Sequence, residues 1–204
     1  VEDPKTAKGM VKREVVKVIT AGTLTDNISL DADRNNYLLC FYPSGGRFGL
    51  ALADISTGKC LVTDVQDNKE LTDEIYKFSP SEIICPVSAS FADHVPDKIK
   101  EDVGFIVSEI PDSYFDDHFC CETLKKQFGV GDASSLGISD FPLGYLASGA
   151  LFHYLFDTQK SQIDQIISIT PYVSGDYMLI DTVTRRNLEL TETLRDKNRR
   201  GSLL

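Results

Sequence analysis

Two aspartates on what read as neighbouring strands, Asp54 and Asp64, have the clearest catalytic potential in the chain. Carboxylates converging on one sheet could hold two metal ions about 3.5 to 4 Å apart and clamp the attacking and leaving oxygens of a phosphodiester displacement. That chemistry needs several acidic oxygens in one place. Alternation along residues 48–55 sets Asp54 on the face of Phe48, Leu50 and Leu52, beside a turn, and the pattern supplies no third carboxylate. The competing reading is an aspartate that caps a turn or faces solvent, and it is the one expected here. Asp117, His118, Cys120 and Cys121 form a second ligand-rich group. Structural zinc sites pair one C-x2-4-C with a second ligand pair, which is missing. On a helix Cys120 and Cys121 diverge by about 100°, so buried or half-buried thiols are expected. His94 and His153 stand alone, and His153, inside an apolar run, reads as a packing histidine. The glycine stretches at 44–46 and 129–131 do not extend to G-x-x-x-x-G-K-[ST], so there is no phosphate-binding P-loop.

The elements that position these residues follow from periodicity and turn chemistry. Arg13–Thr20 is rich in β-branched residues and reads as a strand, followed by a polar connector over Ala21–Asn36. Tyr37–Tyr42, Phe48–Ile55 and Cys60–Val65 are strand candidates separated by Ser44-Gly45-Gly46 and Ser56-Thr57-Gly58. Turns that short force antiparallel pairing, so the three make a meander. Leu71, Ile75 and Phe78 then mark a short helix ended by Pro80, before an apolar strand over Glu82–Cys85. A brief helix is expected over Ser88–His94 and a strand over Gly104–Val107. Tyr114–Phe128 reads as a helix capped by Asp112 or Ser113, with Lys125 and Lys126 in its last turn and Gly129 as its stop. A final helix from Pro142 carries Leu143, Leu146, Ala147, Ala150, Leu151, Tyr154 and Leu155 on one stripe, with apolar residues on other faces too, and should be deeply buried. Gly144 and Gly149 weaken that helix but allow a neighbour to approach closely. A meander followed by alternating helices and strands gives an α/β layer fold with a mixed sheet flanked by helices.

With 204 residues, 42% of them hydrophobic, the chain can bury a sizeable core. Its net charge of −10 is unevenly spread. Residues 1–17 carry five Lys/Arg against three Asp/Glu, residues 185–200 carry six against three, and residues 18–184 carry ten against 25. An acidic body repels phosphate, so little direct DNA binding is expected. Arg185, Arg186, Arg195, Lys197, Arg199 and Arg200 are interleaved with Glu189, Glu192 and Asp196, which fits a solvated helix face or an interdomain contact. Five cysteines, an odd number with Cys120 next to Cys121, do not make a secreted disulfide framework, and reduced cytoplasmic thiols are expected. No window approaches the roughly 20 apolar residues of a membrane-spanning helix. The run from Asp181 to Leu204 is helix-forming, charge-dense and without a terminating signal, so the chain is expected to be a piece of something larger.

Specific phrases carry a family resemblance. TRRNLELTETL (Thr184–Leu194) resembles the start of the core domain of the MutS family of DNA mismatch-repair sensors, and VEDPKTAKGMVKREVVKVITAGT (Val1–Thr23) resembles the end of the family's mismatch-recognition domain. FGLALADISTG and PLGYLASGALFHYLFDTQ resemble landmarks of the connector domain between them. One departure is Ala21, where the family usually has proline. The resemblance implies a tail of the recognition domain and linker over 1–36, an RNase H-like connector domain over 37–165, and the start of the core or lever domain over 166–204. It implies a non-catalytic connector that links mismatch recognition to the ATPase-coupled core and offers a docking surface to MutL. The family's ATP, magnesium and dimeric state belong to the parent protein, as does its mismatch-probing Phe-x-Glu element. For MutL we single out the outward face expected for the Tyr114–Phe128 helix, where Glu122, Thr123 and Lys126 would point away from Phe115, Phe119, Leu124 and Phe128. The alternative from another class is an RNase H-like metal-dependent nuclease using Asp54 and Asp64.

Overall fold

The structure is a computed structural model that describes residues 18, 20–23, 35–159 and 163–174. The strand expected over Arg13–Thr20 and the helix-forming run after Asp181 fall wholly or almost wholly outside these residues. Strands β1 (Leu38–Ser44), β2 (Arg47–Asp54) and β3 (Lys59–Val65) form the expected antiparallel meander. Ser44 pairs with Arg47 across Gly45 (φ +59°) and Gly46 (φ +80°). Both central residues of such a two-residue turn need positive φ, which glycine reaches without Cβ strain. Helix α1 (Asn68–Phe78) starts where the Asp67 side chain accepts from the Glu70 N–H, and stops at Ser79 in the left-handed region, just before Pro80. Strand β4 (Glu82–Pro86) then runs parallel to β1.

Between β4 and the next strand the chain departs from expectation. The helix expected over Ser88–His94 is only a 3-10 turn at Phe91–Asp93, and a true helix, α2 (Asp97–Val103), follows it. Its sequence, DKIKEDV, offers the single buried apolar residue Ile99, too little for a periodic pattern to register. Gly104, at φ +81°, caps α2, so β5 begins beyond it, at Ile106–Ile110 rather than at Gly104. Likewise the segment expected as one helix from Tyr114 is a 3-10 turn at Asp112–Phe115 followed by α3 (Asp117–Phe128). Asp116, not Asp112 or Ser113, is the cap: it accepts from the His118 and Phe119 N–H groups at 3.0 and 3.3 Å. Asp112 instead accepts from Ser88. Asp116→Ala should therefore cost about 1 kcal/mol in urea unfolding, and a change below about 0.3 kcal/mol would place the start of the helix elsewhere.

Helix α4 (Pro142–Gln159) precedes a returning segment whose two-residue strand β6 (Thr170–Pro171) pairs parallel to β3. The six strands lie in the order β5-β4-β1-β2-β3-β6, with β2 alone antiparallel to its neighbours. The first five, in the order 5-4-1-2-3 around a meander, have the RNase H-like arrangement, so the fold is the one expected. One face of the sheet packs Leu39, Phe41, Phe48, Leu50 and Leu52 against Leu71 and Ile75 of α1 and Ile99 of α2. The opposite face packs Leu38, Cys40, Ala51, Ala53 and Val62 against Ala147, Ala150, Leu151 and Leu155 of α4, with Leu124 of α3 in the same cluster. Helix α4 is sandwiched between the sheet and α3, which is why it is apolar all round. The two glycines allow this: a Cβ on Gly144 would lie 2.6 Å from Val62 Cγ2, and one on Gly149 would lie 2.4 Å from Cys120 Cβ.

Candidate functional site

Sheet alternation separates the two aspartates on which metal chemistry would depend. Asp54 shares the α1 face with Leu50 and Leu52, whereas Asp64 lies opposite Gly49 on the α4 face. The pair cannot converge on one metal ion, which corrects the nuclease reading built on them. Asp54 is fully buried and caps its turn: Oδ1 accepts from the Ser56 N–H at 2.9 Å and the Ser56 hydroxyl at 2.6 Å. Asp64 takes a role that spacing alone did not suggest. Its Oδ1 accepts from the Gly144 N–H at 2.6 Å, its Oδ2 from the Leu143 N–H at 3.4 Å, and Arg47 stands 3.7 Å away. The first turn of α4 is thus capped from a strand distant in sequence. Among the described residues, no group of three or more His, Cys, Asp or Glu is placed to hold a metal ion.

The Asp117-His118-Cys120-Cys121 group splits as helix geometry requires. Cys120 is buried against α4, Cys121 is half-buried, and Asp117 and His118 are exposed. Burial pushes the Cys120 and Cys60 thiols up to about 12 and Cys85 up to about 11, so these three are protonated and unreactive at neutral pH. All five cysteines are free. His153 packs edge-on to Tyr114 at 4.1 Å, as a packing histidine would, and His94 lies against Phe41 and Phe48.

The surface of α3 is laid out differently from the reading by apolar pattern. Cys120, Thr123 and Leu124 face inward, and Thr123 is only 8% exposed. Phe119 faces out, with 53% of its surface exposed, and shares the outer side with Glu122 and Lys126. So Thr123 leaves the expected docking set, and Phe119 joins Glu122 and Lys126 at positions i, i+3 and i+7. The physical reason is the close approach at Gly149, which seats the small Cys120 side chain against α4 and has no room for a phenyl ring. The small residues on α3 and the glycine on α4 were the available signal. Around the patch, Glu122 pairs with Lys125 at 3.1 Å, the Lys126 ammonium stands 5.1 Å from the Phe156 ring, and Phe119 is flanked by His118 and His153. A cleft of about 440 Å³ lies on another side of α3, lined by Asp117, Cys121, Asp132, Ile138 and Tyr145 among others. The Phe119-Glu122-Lys126 patch itself is the exposed outer side of α3. It is a mixed apolar and charged surface on a rigidly held helix.

Comparison with known proteins gives a consistent match. A family model described as MutS domain II matches residues 36–167. The DNA mismatch repair protein MutS of Lachnoclostridium phytofermentans is 45% identical over 204 residues, covering all of this chain and 22% of that protein. The proteins of the same name from Acetivibrio thermocellus and Alkaliphilus oremlandii are 39% and 42% identical, again over the whole chain, covering 23% and 24% of their lengths. The chain therefore spans less than a quarter of the length of these curated relatives. Among solved structures, Thermus thermophilus RuvC in complex with Holliday junction substrate superposes with a TM-score of 0.40 and 10% identity, covering 59% of this chain and 94% of that one.

Proposed function

Because the chain belongs to the MutS family and is centred on its domain II, we propose that it is a non-catalytic connector that joins mismatch recognition to the ATPase-coupled core and docks MutL. The reading is supported above all by the exposed Phe119-Glu122-Lys126 face, held on a helix whose opposite side is locked against α4. A docking helix needs a fixed backbone, because ordering a mobile one on binding would subtract from affinity. An exposed aromatic with charges of both signs around it also matches the aromatic centre and polar rim of an interface. In this reading ATP, magnesium, dimerisation and a cytoplasmic setting belong to the parent protein, and the acidic body contributes little to DNA contact.

The test is calorimetric titration of this chain with a purified MutL protein, without DNA or nucleotide. Saturable one-to-one binding is expected. The triple variant Phe119→Ala, Glu122→Lys, Lys126→Glu should weaken it at least about tenfold with an unchanged melting temperature. Unchanged affinity would remove this face from consideration, and absence of binding by the folded wild-type chain would remove the docking role itself.

A further inference from the structure

Two buried carboxylates that no catalytic reading uses, Glu82 and Glu74, each hold a segment that lies outside the sheet and helices proper. Glu82, at the start of β4, is 1% exposed. Its Oε1 accepts from the Tyr154 hydroxyl at 2.6 Å and the Ser108 hydroxyl at 2.8 Å, which fixes the carboxylate from two elements. Its Oε2 accepts from the backbone N–H of Gly22 at 2.9 Å, sixty residues earlier in the chain. The same incoming segment is held at two further points. The Ala21 carbonyl accepts from Asn36 Nδ2 at 3.0 Å, and the Val18 N–H donates to the Thr158 carbonyl at 2.7 Å. Gly22 is buried so closely that a Cβ there would lie 2.9 Å from Leu38 Cδ1 and 3.1 Å from Glu82 Cβ.

The outgoing segment mirrors this arrangement. Glu74 of α1, also 1% exposed, accepts from the Tyr172 hydroxyl at 2.8 Å and the Ser174 hydroxyl at 3.1 Å, and Lys77 balances its charge at 3.2 Å. Upstream, Gln127 Nε2 donates to the Ile163 and Ile166 carbonyls at 2.8 Å, and the Tyr172 N–H donates to Val62. A carboxylate already sunk in the protein loses a charge-assisted hydrogen bond when its segment leaves. Each segment is therefore seated by a charge that is costly to strip of its donors.

We propose that Glu82 and Glu74 are clamps that make the incoming and outgoing segments part of the rigid domain, so that displacement of either neighbouring domain turns the whole sheet instead of being absorbed in a slack linker. This deepens the connector reading and rests on it for its mechanical consequence. Glu82 and Glu74 are positioning residues, and they touch no partner directly.

Amide hydrogen exchange on this chain, followed by NMR, reads the clamps separately from docking. In the wild type, the amide at position 22 and that of Tyr172 should be protected. Glu82→Gln should lower protection at position 22 by about tenfold to a hundredfold, with Tyr172 unaffected, and Glu74→Gln should do the reverse. Gly22→Ala, which alters no residue of the sheet and whose added Cβ would crowd Leu38 and Glu82, should release the incoming segment to a similar extent while the amide of Leu50 keeps its wild-type exchange rate. Unprotected amides in the wild type, or unchanged protection at position 22 in both Glu82→Gln and Gly22→Ala, would overturn the proposal. Intact exchange behaviour in a chain that fails to bind MutL would leave the clamps standing and remove only the docking role.

Discussion

Gly49→Ala is expected to destabilise the domain by about 3 kcal/mol, although a glycine-to-alanine change inside a strand ordinarily stabilises by roughly 0.5–1 kcal/mol. The reason is what lies above it. A Cβ at position 49 would sit 2.1 Å from the carbonyl carbon and oxygen of Leu143 and 2.6 Å from the Gly144 nitrogen. These are backbone atoms at the first turn of α4 and cannot rotate away. Gly144 in turn already rests on Val62 and the Thr63 carbonyl, so the helix has nowhere to slide. Relief requires lifting the end of α4 from the sheet, which loosens Ala147, Ala150 and Leu151 together. Urea unfolding should show a midpoint lower by about 1–2 M with an unchanged slope. Gly131, where a Cβ would meet nothing within 4 Å, serves as the control and should tolerate alanine with little change. A Gly49→Ala midpoint within about 0.3 M of wild type would mean that α4 is not locked at this contact.

Asp64→Ala is expected to cost about 2–3 kcal/mol, because it removes a charged acceptor from two helix-terminal N–H groups and leaves them buried without a replacement. Asp64→Asn keeps an acceptor oxygen and should cost clearly less. The pair also makes a signed prediction in pH. Burial raises the Asp64 pKa above its ordinary 3.8, and the Gly144 and Leu143 N–H groups and Arg47 lower it without fully offsetting burial. A folded-state pKa above the unfolded one means that the folded chain binds the proton more tightly. The stability linked to Asp64 is then fully present below pH 3.8 and lost as pH rises through the raised folded value. Relative to Asp64→Asn, the wild type should therefore gain stability as pH falls toward 4. A wild type that instead loses stability relative to Asp64→Asn on acidification would show that the hydrogen bonds and Arg47 outweigh burial.

The meander was legible because every signal for it is local. Alternating residues set each strand, and Gly45-Gly46 set the register through a turn that only residues free to take positive φ can make. The stops at Pro80 and Gly129 and the burial of α4 could be read for the same reason. Helix α2 could not, since one buried isoleucine in seven residues leaves no period to detect. Nor could the true cap of α3: aspartates at 112, 116 and 117 are chemically equivalent until Pro111 and the 3-10 turn commit Asp112 elsewhere.

The candidate surface divides along the same line. That α3 exists and carries Glu122 and Lys126 outward was evident from the chain. That Phe119 is displayed and Thr123 buried was not, because α3 has apolar residues on both sides and its orientation is set by where Gly149 of α4 allows contact. Asp54 and Asp64 look alike as strand-end acids, and only register and layer order send one into a turn and the other across to cap a helix nearly eighty residues on. Glu82 and Glu74 carried no local mark, since their donors come from sixty and about a hundred residues away. Local structure follows from nearest-neighbour sterics and periodicity, which the chain states directly. Which faces meet, and which buried charge receives which donor, depends on close packing between distant segments, and that is decided only when the layers assemble.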